Sequence, residues 1–158
     1  VRDMRIGVPK EIKIHEYRVG LTPESVRVLV ADGHTLLVES GAGSGIGATD
    51  DAYRASGASM LASAAEVFAQ AQLIVKVKEP QATERSRLRS DQTLFTYLHL
   101  APDPYQAHDL INSGVTAIAY ETLTAAGSTS DQISRESPVG SSFEFVERRL
   151  GVSRAPRP

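Results

Sequence analysis

The residues predict an α/β domain, a mostly parallel sheet with helices on both faces. Three observations predict it. Short β-type runs alternate with helical stretches along the chain. The runs look buried on both sides, as strands beneath two helical layers must be. The helical stretches open on capping residues or proline and stop at glycine.

Arg5 to Val8 is a short apolar run ending at Pro9, which fits a first strand. Thr22 is placed to cap a helix, with Pro23 at its first position and Glu24 in its first turn. Val26, Leu29 and Val30 recur at helical spacing, and Gly33 supplies the stop. Thr35 to Glu39 is the next strand. Asp50, Asp51, Tyr53 and Ala55 suggest a short helix ending near Gly57. Another helix starts after Ser63 and turns Val67 and Phe68 inward. Leu73 to Val77 is a β-run apolar except at Lys76, broken by Pro80. Leu88 and an Arg89-Ser90-Asp91-Gln92 turn lead to a further run, Thr93 to Leu98. Pro102-Asp103-Pro104 opens a helix through Leu110 and Ile111, stopped by Gly114. Val115 to Tyr120 is the last strand.

Past Thr122 the character changes. Residues 123–158 hold seven serines, five arginines, three prolines and no lysine, without apolar periodicity. This stretch reads as a largely irregular tail, with at most one short helix over 144–150.

The bulk composition narrows the function classes. A chain of 158 residues supports one domain with a real core. With 41% hydrophobic and 23% charged residues, it reads as a soluble globular protein. A net charge of −2 and no basic stripe argue against nucleic acid as a partner. Cysteine is absent, which excludes disulfides and thiolate metal sites. No histidine pair has metal-ligand spacing, so no metal is expected. No apolar run approaches the ~18 residues of a membrane span, and the N-terminus lacks signal-peptide character. No membrane partner is expected, and the cytoplasm is the expected compartment.

Sheets of this kind bind ligands beyond the carboxyl ends of their strands. Arg18, Lys78 and His99 all fall at or just after a predicted strand, so one sheet edge could collect them. Arg18 lies in the loop between the first strand and the first helix. It is either a solvated loop residue or a planar fork for a small carboxylate. Lys76 and Lys78 share a face by strand alternation. Both ammonium groups could snorkel outward at a strand end, or Lys78 could point into a cleft as a donor. His99 is either a satisfied structural histidine or a general acid/base. His15, His34 and His108 read as loop, turn and helix-surface residues. Glu121 is either a solvated strand end or an orienting carboxylate.

The run Gly41-Ala42-Gly43-Ser44-Gly45-Ile46-Gly47 follows a strand, as a dinucleotide turn would. Its spacing is wrong for GxGxxG: Ile46, Ala48 and Asp50 stand where the final glycine is needed. It reads instead as a flexible surface loop.

Several segments together resemble one family. They are Met4-Arg5-Ile6-Gly7-Val8-Pro9-Lys10-Glu11, Glu16-Tyr17-Arg18-Val19, Leu21-Thr22-Pro23, Gly41-Ala42-Gly43, Lys76-Val77-Lys78-Glu79-Pro80, Thr96-Tyr97-Leu98-His99-Leu100-Ala101 and Ala119-Tyr120-Glu121-Thr122. In this order they resemble the N-terminal half of the alanine dehydrogenases. The same domain type occurs in the nicotinamide nucleotide transhydrogenase alpha subunit and, more distantly, in lysine-forming saccharopine dehydrogenase. The resemblance runs from about residue 4 to about residue 122. It implies a flavodoxin-like or Rossmann-like substrate domain. It implies an oxidoreductase that converts L-alanine, water and NAD to pyruvate, ammonium and NADH. It gives Arg18 and Lys78 the substrate carboxylate and carbonyl oxygen, and His99 the general acid/base role. It also implies a homo-hexamer and a separate NAD-binding domain that would supply a further aspartate. Residues from about 123 onward do not share the resemblance. A truncated or frameshifted chain, inactive alone, is therefore expected. The rival readings are a non-enzymatic carboxylate-binding module, a transhydrogenase-like subunit that pairs with a separate NAD-binding chain, and a degenerate product without function.

Overall fold

A computed structural model describes residues 3–122 of the chain. The strands are β1 (Arg5–Val8), β2 (Thr35–Glu39), β3 (Ser59–Leu61), β4 (Leu73–Val75), β5 (Thr93–Thr96) and β6 (Thr116–Ala119). The helices are α1 (Pro23–Ala31), α2 (Asp50–Ala55), α3 (Ala64–Gln70), α4 (Ala82–Arg85) and α5 (Pro104–Ser113). Single 3₁₀ turns cover Ser44–Ile46 and Tyr120–Thr122.

The helix starts are chemically explicit. Thr22, Thr49, Ser63 and Asp103 each cap a helix by accepting a first-turn backbone N–H, at α1, α2, α3 and α5. Gly114, in the left-handed region at φ 69°, stops α5. No described helix is long and apolar enough to cross a membrane.

All six strands pair in parallel, in the order β3-β2-β1-β4-β5-β6. Strand alternation divides the core between the two faces. Ile6, Val8, Leu36, Val38, Leu73, Val75 and Phe95 pack with Val26 and Leu29 of α1 and Tyr53 of α2. Leu37, Ile74 and Leu94 pack on the other face with Val67 and Phe68 of α3 and Leu110 of α5. A parallel strand sandwiched in this way has no solvated side, which is why these runs lack a polar alternation.

The topology also locates a crevice. The chain moves outward from β1 to β2 to β3, then returns to start β4 on the opposite side of β1. The connections after β1 and β4 therefore lead to opposite sides of the sheet, which makes this the switch point at which such sheets place ligands.

The structure shortens three expected strands and adds two elements. β4 ends at Val75 and β5 at Thr96, although Lys76 N–H still reaches the Phe95 carbonyl at 3.0 Å. Beyond these ends a longer backbone bond, Tyr97 N–H to the Val77 carbonyl at 3.4 Å, is joined by a side chain: Thr96 Oγ1 donates to the Lys78 carbonyl at 2.7 Å. β6 stops at Ala119, and Tyr120 begins a 3₁₀ turn. β3 and α4, with three and four residues, are too short to show a period in sequence. The tail expected over 123–158, its short helix included, lies outside the described residues.

Candidate functional site

The loop from Pro9 to Thr22 crosses the carboxyl edge of the sheet and carries Arg18. Two glycines let it sit low. A Cβ on Gly20 would stand 2.5 Å from the Val75 carbonyl oxygen, so only glycine lets the loop pass over the end of β4. A Cβ on Gly45 would collide with the backbone of Tyr17. The glycine run after β2 is thus a packed support for the Arg18 loop. Residues 44–47 are exposed, as expected of a surface loop, and the packing against Tyr17 adds to that expectation. That contact lies 28 residues back in the chain, and spacing within the run cannot reveal it.

Glu16 organises Arg18. Glu16 Oε1 accepts Arg18 Nε at 2.8 Å and Arg18 N–H at 2.9 Å, and Oε2 accepts Nη2 at 2.7 Å. The Glu16 side chain is buried at 6% exposure, while Arg18 keeps 38%. The hydrogen bond from Arg18 holds the Glu16 carboxyl below its ordinary range, and the more distant charge of Lys78 adds to that. The same bond raises Arg18. Two edges of a guanidinium can each meet a carboxylate. Glu16 occupies the Nε/Nη2 edge, and among the described residues no hydrogen bond takes the Nη1/Nη2 edge.

Lys76 and Lys78, two residues apart, separate completely. Lys76 Nζ is sealed, with its side chain 1% exposed. It donates to Glu84 Oε1 at 2.8 Å and Glu11 Oε2 at 3.1 Å. This corrects the expectation that both ammonium groups could snorkel outward, because two buried carboxylates draw Lys76 inward. Lys78 is half-buried. Its Nζ lies 4.9 Å from the centroid of the Tyr97 ring, within cation–π range. Among the described residues it meets no carboxylate at ion-pair distance.

His99 follows β5 in a left-handed conformation, φ 47°, which is costly for a side-chain-bearing residue. The turn is held from both sides. Glu121 Oε1 accepts the N–H groups of Leu98 and His99 at 3.0 and 2.9 Å, and Gln106 of α5 donates to the Leu98 carbonyl at 2.5 Å. Glu121 is thus a clamp on the His99 turn rather than a solvated strand end. The His99 ring is exposed and stands edge-on to Tyr97, with centroids 5.5 Å apart. Tyr97 in turn lies 5.9 Å from Tyr120. The Tyr120 hydroxyl donates to the Val77 carbonyl at 2.5 Å. Burial pushes its phenol well above the usual value, and the nearby charge of Arg18 pulls the other way.

The three sequence-predicted residues therefore share one edge. Lys78 and His99 flank the same tyrosine ring, and Arg18 lies on the loop that follows β1 at that edge. Sequence reasoning did not single out Glu16, Tyr97 or Tyr120 as members of the site. The Glu-Tyr-Arg spacing was a usable signal for Glu16, since alternate residues can fold a carboxylate back onto a guanidinium. His34 is a structural residue: it is buried, and its Nδ1 accepts the Met4 N–H at 3.2 Å.

The glycine run does not form a dinucleotide-binding turn. The connection after β1 is a long loop without a glycine turn, and Gly45 of the glycine run is occupied by Tyr17 backbone.

Comparison with known proteins adds a family. A family model described as alanine dehydrogenase/PNT, N-terminal domain, matches residues 7–139. The alanine dehydrogenase of Halomonas elongata is 54% identical over 122 residues, which are 77% of this chain and 33% of that protein. The alanine dehydrogenase of Mycobacterium tuberculosis is 47% identical over 123 residues, 78% of this chain and 33% of that protein. A solved L-alanine dehydrogenase superposes with a TM-score of 0.78 at 46% identity, covering 82% of this chain and 36% of the other. The transhydrogenase from Sinorhizobium meliloti superposes with a TM-score of 0.71 at 30% identity, covering 76% and 34%. The chain spans about a third of the length of the curated relatives it matches.

Proposed function

The chain belongs to the alanine dehydrogenase/PNT N-terminal domain family, and on that premise we propose that it forms the substrate-binding part of an NAD-dependent alanine dehydrogenase. The reaction is L-alanine, NAD⁺ and water to pyruvate, ammonium, NADH and a proton. The observation that carries the reading is that Lys78 and His99 flank Tyr97 at the carboxyl edge where the loop after β1 carries Arg18, held on one side by Glu16.

In this reading the Nη1/Nη2 edge of Arg18 grips the carboxylate of alanine or pyruvate, and Glu16 holds the guanidinium in plane. Lys78 donates to the oxygen that water adds at the α-carbon, stabilising its negative charge as the carbinolamine loses the hydroxyl proton, breaks its C–N bond and becomes the carbonyl of pyruvate. His99 takes a proton from the attacking water and returns one to the departing amine. NAD, when bound, would supply the hydride acceptor for the α-carbon. This polypeptide spans about a third of its relatives' length and is expected to show no ordinary turnover when assayed alone, since lost proximity alone is worth about 7–11 kcal/mol of barrier. Cytoplasmic location and homo-hexamer assembly belong to the same proposal, as does a divergent tail beyond residue 122.

Calorimetric titration with pyruvate tests the site. Weak binding to the wild-type chain, lost in both Arg18→Ala and Lys78→Ala, is expected. A wild-type chain that gives no heat and no chemical-shift change at saturating pyruvate overturns the reading. Reduction of NAD by this polypeptide with L-alanine at ordinary rates overturns the expectation of inactivity.

A further inference from the structure

We infer that Glu11 is a positioning residue that sets the spacing of Arg18 and Lys78 by latching the Arg18 loop to the chain that leaves β4. This rests on the reading of Arg18 and Lys78 as a carboxylate-binding pair. Glu11 lies on the same loop as Arg18, and its side chain is 2% exposed. Oε1 accepts the Val77 N–H at 2.7 Å, and Oε2 accepts Lys76 Nζ at 3.1 Å. Both partners come within two residues of Lys78. One carboxylate therefore spans the β1/β4 crevice and ties the two ligand-facing segments together.

The arrangement is directional as well as tight. Lys76 is shared with Glu84, whose Oε2 accepts the Gln81 N–H at 2.8 Å and so fixes the start of α4. Val77 is held again on its carbonyl by Tyr120. The loop has a second ionic tether in Lys13 and Glu79, but Lys13 is 38% exposed and its pair is screened by solvent. A buried ion cluster is a poor way to gain stability alone, because apolar packing of equal volume serves as well or better. It does fix distances, since each bond has one geometry. Burial pushes the Glu11 carboxyl up despite Lys76, the cost that this placement carries.

The test uses the whole 158-residue chain as wild type, Glu11→Gln, Lys13→Ala and Arg18→Ala, with pyruvate titration and amide hydrogen exchange on each. In Glu11→Gln, exchange is expected to accelerate at residues 10–20 and 76–79 while Ile6, Leu36 and Leu94 keep wild-type protection. Pyruvate affinity falls about tenfold, the loss expected when one charge-assisted bond is misplaced. Lys13→Ala retains affinity. Unchanged affinity in Glu11→Gln overturns the inference and leaves the site reading standing. Faster exchange throughout the sheet also overturns it, because Glu11 then only stabilises the fold. If the wild type binds no pyruvate, or Arg18→Ala binds it as well, the site reading fails and the inference with it. Should Glu11→Gln not fold, Glu11→Asp keeps the charge one methylene short and serves the same comparison.

Discussion

Lys76 and Lys78 leave the same strand end two residues apart, yet one is walled in and the other is left with donors to spare. Lys76 meets two carboxylates, Glu11 and Glu84, all three side chains being at most 2% exposed. Lys78 stands over the face of Tyr97, and Arg18, on the loop after β1, has one edge committed to Glu16. Residue type does not separate scaffold from site here, since both clusters are built from lysine, glutamate and neighbouring backbone. The number of unspent donors does. A saturated buried cluster holds geometry, and a half-buried one with free N–H groups can take a ligand.

The largest effect is expected from breaking the sealed cluster. Lys76→Ala strands two buried carboxylates and should cost about 3–5 kcal/mol in urea denaturation. Lys78→Ala should stay within about 0.5 kcal/mol of wild type in the same experiment, yet lose pyruvate binding. Equal stability losses would erase the distinction between the two lysines. Next comes Arg18→Ala, with a fall in pyruvate affinity of roughly 10- to 100-fold by calorimetry, the worth of a charge-assisted pair of bonds. Arg18→Lys keeps the charge without the fork and should recover only part of it.

A smaller effect tests the support beneath the loop. Gly45→Ala pushes on Tyr17 backbone and should cost about 1–3 kcal/mol by overpacking, with pyruvate affinity falling alongside. Retained stability and affinity would show that the glycine run does not hold the loop.

The smallest effect sharpens the comparison by pH. The Glu16 carboxyl is lowered from its ordinary value of 4.5, chiefly by the hydrogen bond from Arg18. A lowered folded-state value means stability that is present above 4.5 and lost as pH falls through the lowered value. The stability gap between wild type and Glu16→Gln should therefore be constant from about pH 7 to 5 and shrink below that. A gap independent of pH would mean that the pair contributes nothing to folding.

Much of the scaffold was legible before any coordinates. β1 and β2 keep the boundaries read from their apolar runs, and α1 begins where Thr22-Pro23 places it. Local signals carry this, because caps and turns act over three or four residues. The end of β4 was misread for the same reason. Lys76-Val77-Lys78 alternates like a strand, but the groups that bend Lys76 inward sit 65 residues before it and 8 after it. The glycine run could be refused as a dinucleotide turn on spacing. What packs against it could not be read, because Tyr17 arrives from another loop.

The order of polar and apolar residues alone determined that this chain makes a parallel sheet, that its loops collect at one carboxyl edge, and that Arg18, Lys78 and His99 belong to those loops. Those are consequences of periodicity and of the right-handed rule for parallel crossovers. Only the tertiary structure decided which charges are consumed. Glu11 and Glu84 close on Lys76, Glu16 takes one edge of Arg18, and Glu121 holds the turn that carries His99. Such pairings depend on which segments burial brings within hydrogen-bond reach, and no spacing along the chain encodes that distance.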